Sequence, residues 1–251
     1  MTTDLETTMT GPVPQEPPDT GDHAKVALVI AAHPDDADFG TAGTAHLWSK
    51  QGWEFYYLVC TDGSKGTEDP SLTPDRLVPM RQKEQRAAAE TLGVKDVFFL
   101  EGQVDGELTY TRKLLGDVVR VIRRLKPYAV FTHEPSEVVI RNAFINHSDH
   151  RTTGLVAIDA VYPSARDRLN FPEHLDEGLE PHKVKEIFIW GSEKAEFVVD
   201  ISDAVETKIQ ALLRHTSQFG EGSEFLKFVR ERWRGEDGRY TERFRRVVLF
   251  R

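Results

Sequence analysis

A single cysteine, Cys60, occurs among the 251 residues. That excludes an intramolecular disulfide framework and every multi-cysteine zinc motif. No apolar run approaches the ~18 residues of a membrane-spanning helix. No Gly-x-Gly-x-x-Gly follows the first predicted strand, which argues against a nicotinamide enzyme. Residues 1–23 contain no Lys or Arg, yet they hold five acids and four prolines. So little apolar surface cannot offset the entropy of ordering, and this segment is expected to be a disordered acidic tail. It also lacks the basic and apolar regions of a secretory signal, so the expected location is cytoplasmic. Residues 24–251 are expected to form one domain. A chain of this size buries roughly 70–75% of its unfolded surface, so it needs no metal staple, and a metal here would serve chemistry.

Charge is present but unevenly placed. The net charge is −9, and without the first 23 residues 36 acids face 32 bases. Lys227–Arg251 carries nine Lys or Arg against four Asp or Glu. No nucleic-acid motif accompanies that run, so it reads as a solvated helix and edge strand, and no nucleic-acid partner is expected.

Apolar strand-length runs alternate with helical patterns over the first 160 residues. Lys25–Ala32, Trp53–Cys60, Asp96–Leu100 and Tyr128–Thr132 read as strands; Arg81–Leu92, Thr111–Lys126 and His150–Val161 read as helices. Thr61–Pro79 reads as a long loop, Glu134–Ser148 as irregular, and Leu169–His182 as a polar loop that could serve as a lid. Further strands are expected at Glu186–Trp190, Phe197–Ile201 and Arg246–Phe250. Asp203 is expected to cap a helix reaching Gln218, with another helix over Phe225–Trp233. The alternation predicts an α/β, Rossmann-like fold: a mostly parallel sheet with helices on both faces. Ligands of such sheets gather at the carboxyl ends of the strands.

Those ends are where the chemistry-bearing residues lie. His33, Pro34, Asp35, Asp36 and Asp38 follow the first strand. Asn146-His147-Ser148-Asp149-His150 stands just before a helix. His33/Asp36 and His147/His150 share a three-residue spacing that can aim both members of a pair into one space. Hydrolytic zinc takes three protein ligands from His and Asp or Glu and leaves a position for water. Two neutral imidazoles and one carboxylate leave such a centre near +1, enough to bring the pKa of a bound water toward ~7. Asp35 is then the natural base, His147 an acid or oxyanion partner. Asp149 could orient a histidine through its free ring nitrogen.

Ala31-Ala32-His33-Pro34-Asp35-Asp36-Ala37-Asp38-Phe39-Gly40 closely resembles the signature of the PIG-L/LmbE-like zinc-dependent de-N-acetylases. Asn146-His147-Ser148-Asp149-His150-Arg151 is similar to that family's second motif. Thr61–Gly66, the Arg81/Glu84 helix, and His215-Thr216-Ser217-Gln218 after Lys208 run in the family's order, so the likeness spans about Lys25 to Gln218. The resemblance implies His33, Asp36 and His150 as zinc ligands, Asp35 as base, His147 as acid or stabiliser, and Asp149 as its tuner. It places Arg81 at the substrate, and Asp38 and His215 are candidates there too. It implies removal of acetate from an N-acetylglucosamine-type conjugate. Two positions depart: Ser64-Lys65 where members often carry a Glu, and Ile145 where some carry a Tyr. A metal-dependent amidase or esterase on a non-sugar acyl group, and a non-catalytic metal-binding protein, are the competing readings. The sequence selects none of its four tryptophans for sugar stacking and is silent on oligomeric state, a homo-oligomer included.

Overall fold

The computed structural model describes residues 13–220, 222, 229–231 and 233–249. Its first strand, β1 (Val26–Ala31), explains the architecture. All residues from Ala27 to Ala31 are fully buried, because helices cover both faces. Ala27, Val29 and Ala31 enter one core layer, Leu28 and Ile30 the other. β1 lies between β2 (Glu54–Val59) and β4 (Ala129–His133), parallel to both; β3 (Asp96–Phe99) and β7 (Glu186–Trp190) continue the parallel run outward. β9 (Thr241–Val248) then pairs antiparallel with β7 and with β8 (Phe197–Asp200). The seven-stranded order is β3-β2-β1-β4-β7-β9-β8. The expected α/β fold is therefore present, with an antiparallel edge added.

One helical layer holds α1 (Asp36–Ser49), α2 (Pro74–Leu92) and α6 (Val205–Leu212). The opposite layer holds α3 (Arg112–Leu125) and α4 (Ser148–Asp159). α3 starts where the Thr111 side chain accepts the Leu114 N–H. It ends at left-handed Lys126, before Pro127.

Several expectations shift. α2 begins at Pro74, so the predicted loop is shorter; proline suits a first helical position, and the interior Pro79 is exposed. The stretch read as irregular contains a hairpin, β5 (Val139–Ile140) with β6 (Phe144–Ile145). The suspected lid contains α5 (Glu173–Asp176) and is pinned: the Arg123 guanidinium donates to the carbonyls of Ser164, Ala165, Asp167, Asn170 and Phe171. Ala204, not Asp203, stands at the start of α6, and the helix expected to reach Gln218 breaks at His215 before α7 (Thr216–Phe219). β9 starts at Thr241, earlier than expected. The helix expected over Phe225–Trp233 lies mostly outside the described residues, as do residues 1–12 of the expected tail. Residues 13–23 are not free of the domain. The Gln15 N–H donates to the Val198 carbonyl on the sheet edge, and Thr20 is buried.

Candidate active site

The chain leaves β1 toward β2 on one side and is met by β4 on the other, so the carboxyl ends of β1 and β4 form the topological switch point of the sheet. His33 follows β1 and His133 ends β4. Asp36 opens α1, and one of its oxygens accepts the His33 backbone N–H at 2.7 Å while facing His33 Nδ1 at 3.1 Å. Its other oxygen lies 3.2 Å from His150 Nε2, in the first turn of α4. One carboxylate thus touches both histidines that the sequence marks as ligands. α4 reaches this position because residue 154 is glycine; any Cβ there would collide with the His133 carbonyl.

His147 caps α4 and is partly exposed. Its Nδ1 accepts the Asp149 N–H at 3.1 Å. The proton of the neutral ring therefore sits on Nε2, which is left available as a donor. His133 is buried, stacked on His150 with ring centroids 4.2 Å apart, and its Nε2 accepts the Ala32 N–H. Behind His33, Nε2 faces Asp105 and Asp149, each at 3.2 Å.

Asp35 sits between these groups with φ at 102°, in the left-handed region that asparagine and glycine tolerate better. The Gln85 side chain holds its N–H at 2.7 Å, and Arg81 reaches its carboxylate at 3.2 Å. Burial and the neighbouring Asp36 charge push the Asp35 carboxyl up to about 6, against the pull of Arg81. Burial opposes ionisation of Asp36 too, but His150 and His133 hold it well below the usual carboxylate range. For His33 burial opposes the charge, and three carboxylates, Asp105, Asp149 and Asp36, outweigh it and raise the ring to about 12. Burial, then the neighbouring His150, keeps His133 neutral.

This donor set fits a divalent cation. Among the described residues three trios have ligand atoms within 4.8 Å of one another, His33/His147/His150, Asp36/His133/His150 and His33/Asp105/Asp149; the expected set His33/Asp36/His150 is not one of them but shares members with each. Mixed imidazole and carboxylate donors suit zinc, and three carboxylates, those of Asp36, Asp105 and Asp149, stand within 3.2 Å of the His33 ring nitrogens.

Arg81, Asp38 and His215 were expected at the substrate, but the structure buries all three. Arg81 is 3% exposed and donates to the Pro34 and Gly63 carbonyls at 2.6 and 2.9 Å. Asp38 is fully buried and accepts from Gln85, and faces His215 Nε2, both at 2.8 Å. They brace the turn that carries Asp35. Asp105 and Gln85 escaped the sequence reading, and Glu84 entered it only as part of the family-like helix with Arg81. Glu84 accepts from Thr216 Oγ1, Ser217 Oγ and Ser217 N–H, tying α7 to α2. Asp105 had one available signal: an Asp-Gly turn beyond the end of β3, itself a strand end on the site's side of the sheet.

The sequence matches the PIG-L family, described as GlcNAc-PI de-N-acetylase, over residues 28–161. It is 36% identical over 197 residues to a diacetylchitobiose deacetylase of Thermococcus kodakarensis, covering 78% of this chain and 71% of that protein. It is 26% identical over 205 residues to a probable N-acetyl-alpha-D-glucosaminyl L-malate deacetylase 2 of Bacillus anthracis, covering 76% and 80%. Among solved structures, the N,N'-diacetylchitobiose deacetylase of Pyrococcus horikoshii superposes with a TM-score of 0.81 at 35% identity, over 90% of this chain and 84% of that one. A family match across more than half the sequence, together with a relative of that identity and coverage, leads to one conclusion: the chain belongs to the PIG-L family.

Proposed function

We propose that the protein hydrolyses the N-acetyl group of an N-acetylglucosamine-type amino sugar or conjugate, releasing acetate and a free amine. Its family and its deacetylase relatives support the reaction. The observation that carries the site assignment is the Asp36 carboxylate, which touches both His33 and His150 at the end of β1 with Asp35 beside it. His33, Asp36 and His150 would hold Zn2+. When bound there, zinc supplies Lewis acidity and lowers the pKa of a water molecule. Asp35 takes the proton of the attacking water. Arg81 and Gln85 fix the Asp35 turn, so its carboxylate meets the water in one orientation. As charge builds on the acetyl oxygen, the Nε2–H of His147 donates to it, a role set by the hydrogen bond that occupies Nδ1. The amide C–N bond breaks, and the departing amine takes the proton that Asp35 accepted from the water.

Amine release from zinc-loaded protein over a panel of N-acetylglucosamine conjugates tests this. Asp35→Asn should keep its zinc and lose at least about 100-fold in turnover. His150→Ala should lose zinc affinity itself, read by metal analysis after dialysis. Equal zinc loss in both variants would overturn the roles, and acid release without an amine product would favour an esterase.

A further inference from the structure

A metal-binding histidine is normally aimed by whatever holds its other ring nitrogen. His33 is held in this way: Nδ1 faces Asp36, and Nε2 faces Asp105 and Asp149. His150 is not. Its Nε2 faces Asp36 at 3.2 Å, and its Nδ1 forms no hydrogen bond among the described residues. What lies against His150 instead is a ring. His133 stacks on it with centroids 4.2 Å apart and planes 17° from parallel.

His133 is built into its place from three sides. Trp190, at the end of β7, packs on it with centroids 4.5 Å apart. Trp190 is itself pressed against α1, where residue 40 is glycine and a Cβ would lie 2.7 Å from the indole. α4 rests on the same histidine, since Gly154, one turn beyond His150, leaves room for the His133 carbonyl. The third tie runs to the end of β1, where the Ala32 N–H donates to His133 Nε2 at 3.1 Å. One side chain thus touches both the ring of His150 and the backbone that leads into His33.

That hydrogen bond also decides what His133 does not do. Nε2 accepts, so its lone pair is taken and the neutral ring carries its proton on Nδ1. Neither nitrogen is left to bind a metal, although Nε2 stands 3.5 Å from Asp36. His133 is 3% exposed and enters no step of the hydrolysis described above.

We propose that His133 is a positioning residue for the metal: its ring sets the orientation of His150, and its Nε2 sets the backbone that leads into His33. The proposal rests on the metal-hydrolase reading and adds to it a residue outside the ligand set. Stacking fixes the plane of the His150 imidazole where no hydrogen bond does. The Ala32 bond keeps the turn after β1 in register with the first turn of α4.

Two substitutions separate these contacts. His133→Phe keeps a ring against His150 and loses the acceptor for Ala32. His133→Gln keeps an acceptor near the place of Nε2 and loses the ring. Chelator competition reads zinc affinity, and the visible spectrum of the cobalt(II)-loaded protein reads the geometry of the ligands. Each variant should still bind one zinc, about 10-fold more weakly than the native protein, and should shift the cobalt bands. His150→Ala removes a ligand and should lose far more affinity. Melting of the metal-free proteins shows which variants fold, and one folded variant is enough. Native zinc affinity with a native cobalt spectrum in the folded variants would overturn the proposal and leave His133 a packing residue. A loss as large as that of His150→Ala would overturn it too, because His133 would then be a ligand. None of these readouts needs turnover, so a failure to release amine counts against the deacetylase reading alone.

Discussion

Asp35 concentrates two costs at one residue. Its backbone is held at a φ of 102°, and its buried carboxylate sits beside Asp36. Raised to about 6, the carboxyl is ionised at neutral pH at the expense of the folded state. Replacement by glycine removes both penalties and replacement by alanine only the charge, while each removes the contact to buried Arg81 alike; the metal-free Asp35→Gly protein should therefore be about 1–3 kcal/mol more stable than Asp35→Ala, with both inactive. Chemical denaturation checks the first statement and amine release the second; a glycine variant less stable than the alanine one would refute the strain argument. Cys60 is the opposite case, a nucleophile without a use. Burial raises its thiol to about 12, so iodoacetamide at pH 8 should label it only when the protein unfolds. At this scale the residues that gather around Asp36 were legible because His33/Asp36 follow β1 and His147/His150 open α4 with matched spacing. Asp105 was not, since one acid in a loop among many carries no spacing to read. Arg81 and Asp38 were read as substrate residues and their burial was not foreseen, because burial depends on partners such as Gln85 and Gly63 that come from elsewhere in the chain.

At the scale of elements, α2 carries its own anomaly. Pro79 lies inside the helix, where its ring removes one backbone hydrogen bond. Its side chain is exposed, so no packing is lost on replacement. Pro79→Ala should therefore raise stability by about 1 kcal/mol or more, read as an upward shift in the melting temperature. A lower melting temperature would mean that the proline shapes the start of α2. The same residue explains why the sequence misplaced that start: proline reads as a stop when tertiary contacts are unseen. Between Pro74 and Pro79, Leu77 is fully buried, which no local pattern of the stretch announces. α6 and α7 were merged for a related reason. The break at His215 is stabilised by its bond to Asp38 and by the Glu84 contacts to Thr216 and Ser217, none of them local. β9 was found short because its sequence is largely charged and polar; Phe244 and Val247 face apolar cores, while Arg246 pairs with Glu186 on the neighbouring strand.

Across the whole molecule, the alternation of strands and helices made the parallel run β3-β2-β1-β4-β7 legible, whereas the antiparallel edge depends on a long-range pairing that no local pattern encodes. That edge is joined to the catalytic layer by one buried ion pair. Lys208 on α6 donates to Glu242 on β9 and to the Phe39 carbonyl of α1, each at 2.6 Å. Glu242 in turn accepts the N–H groups of Gly43 and Thr44 and the Thr44 hydroxyl. Three elements far apart in sequence thus meet at two charges that are 2% and 5% exposed. Removing one partner leaves the other charged, buried and short of its counter-ion. Lys208→Met and Glu242→Gln should each cost about 3–5 kcal/mol. The double variant should cost less than the sum of the two, because neither charge is then stranded. Denaturant unfolding of the four proteins measures that coupling. Purely additive losses would mean that the pair does not act as a unit, and that the antiparallel edge is held to α1 by packing alone.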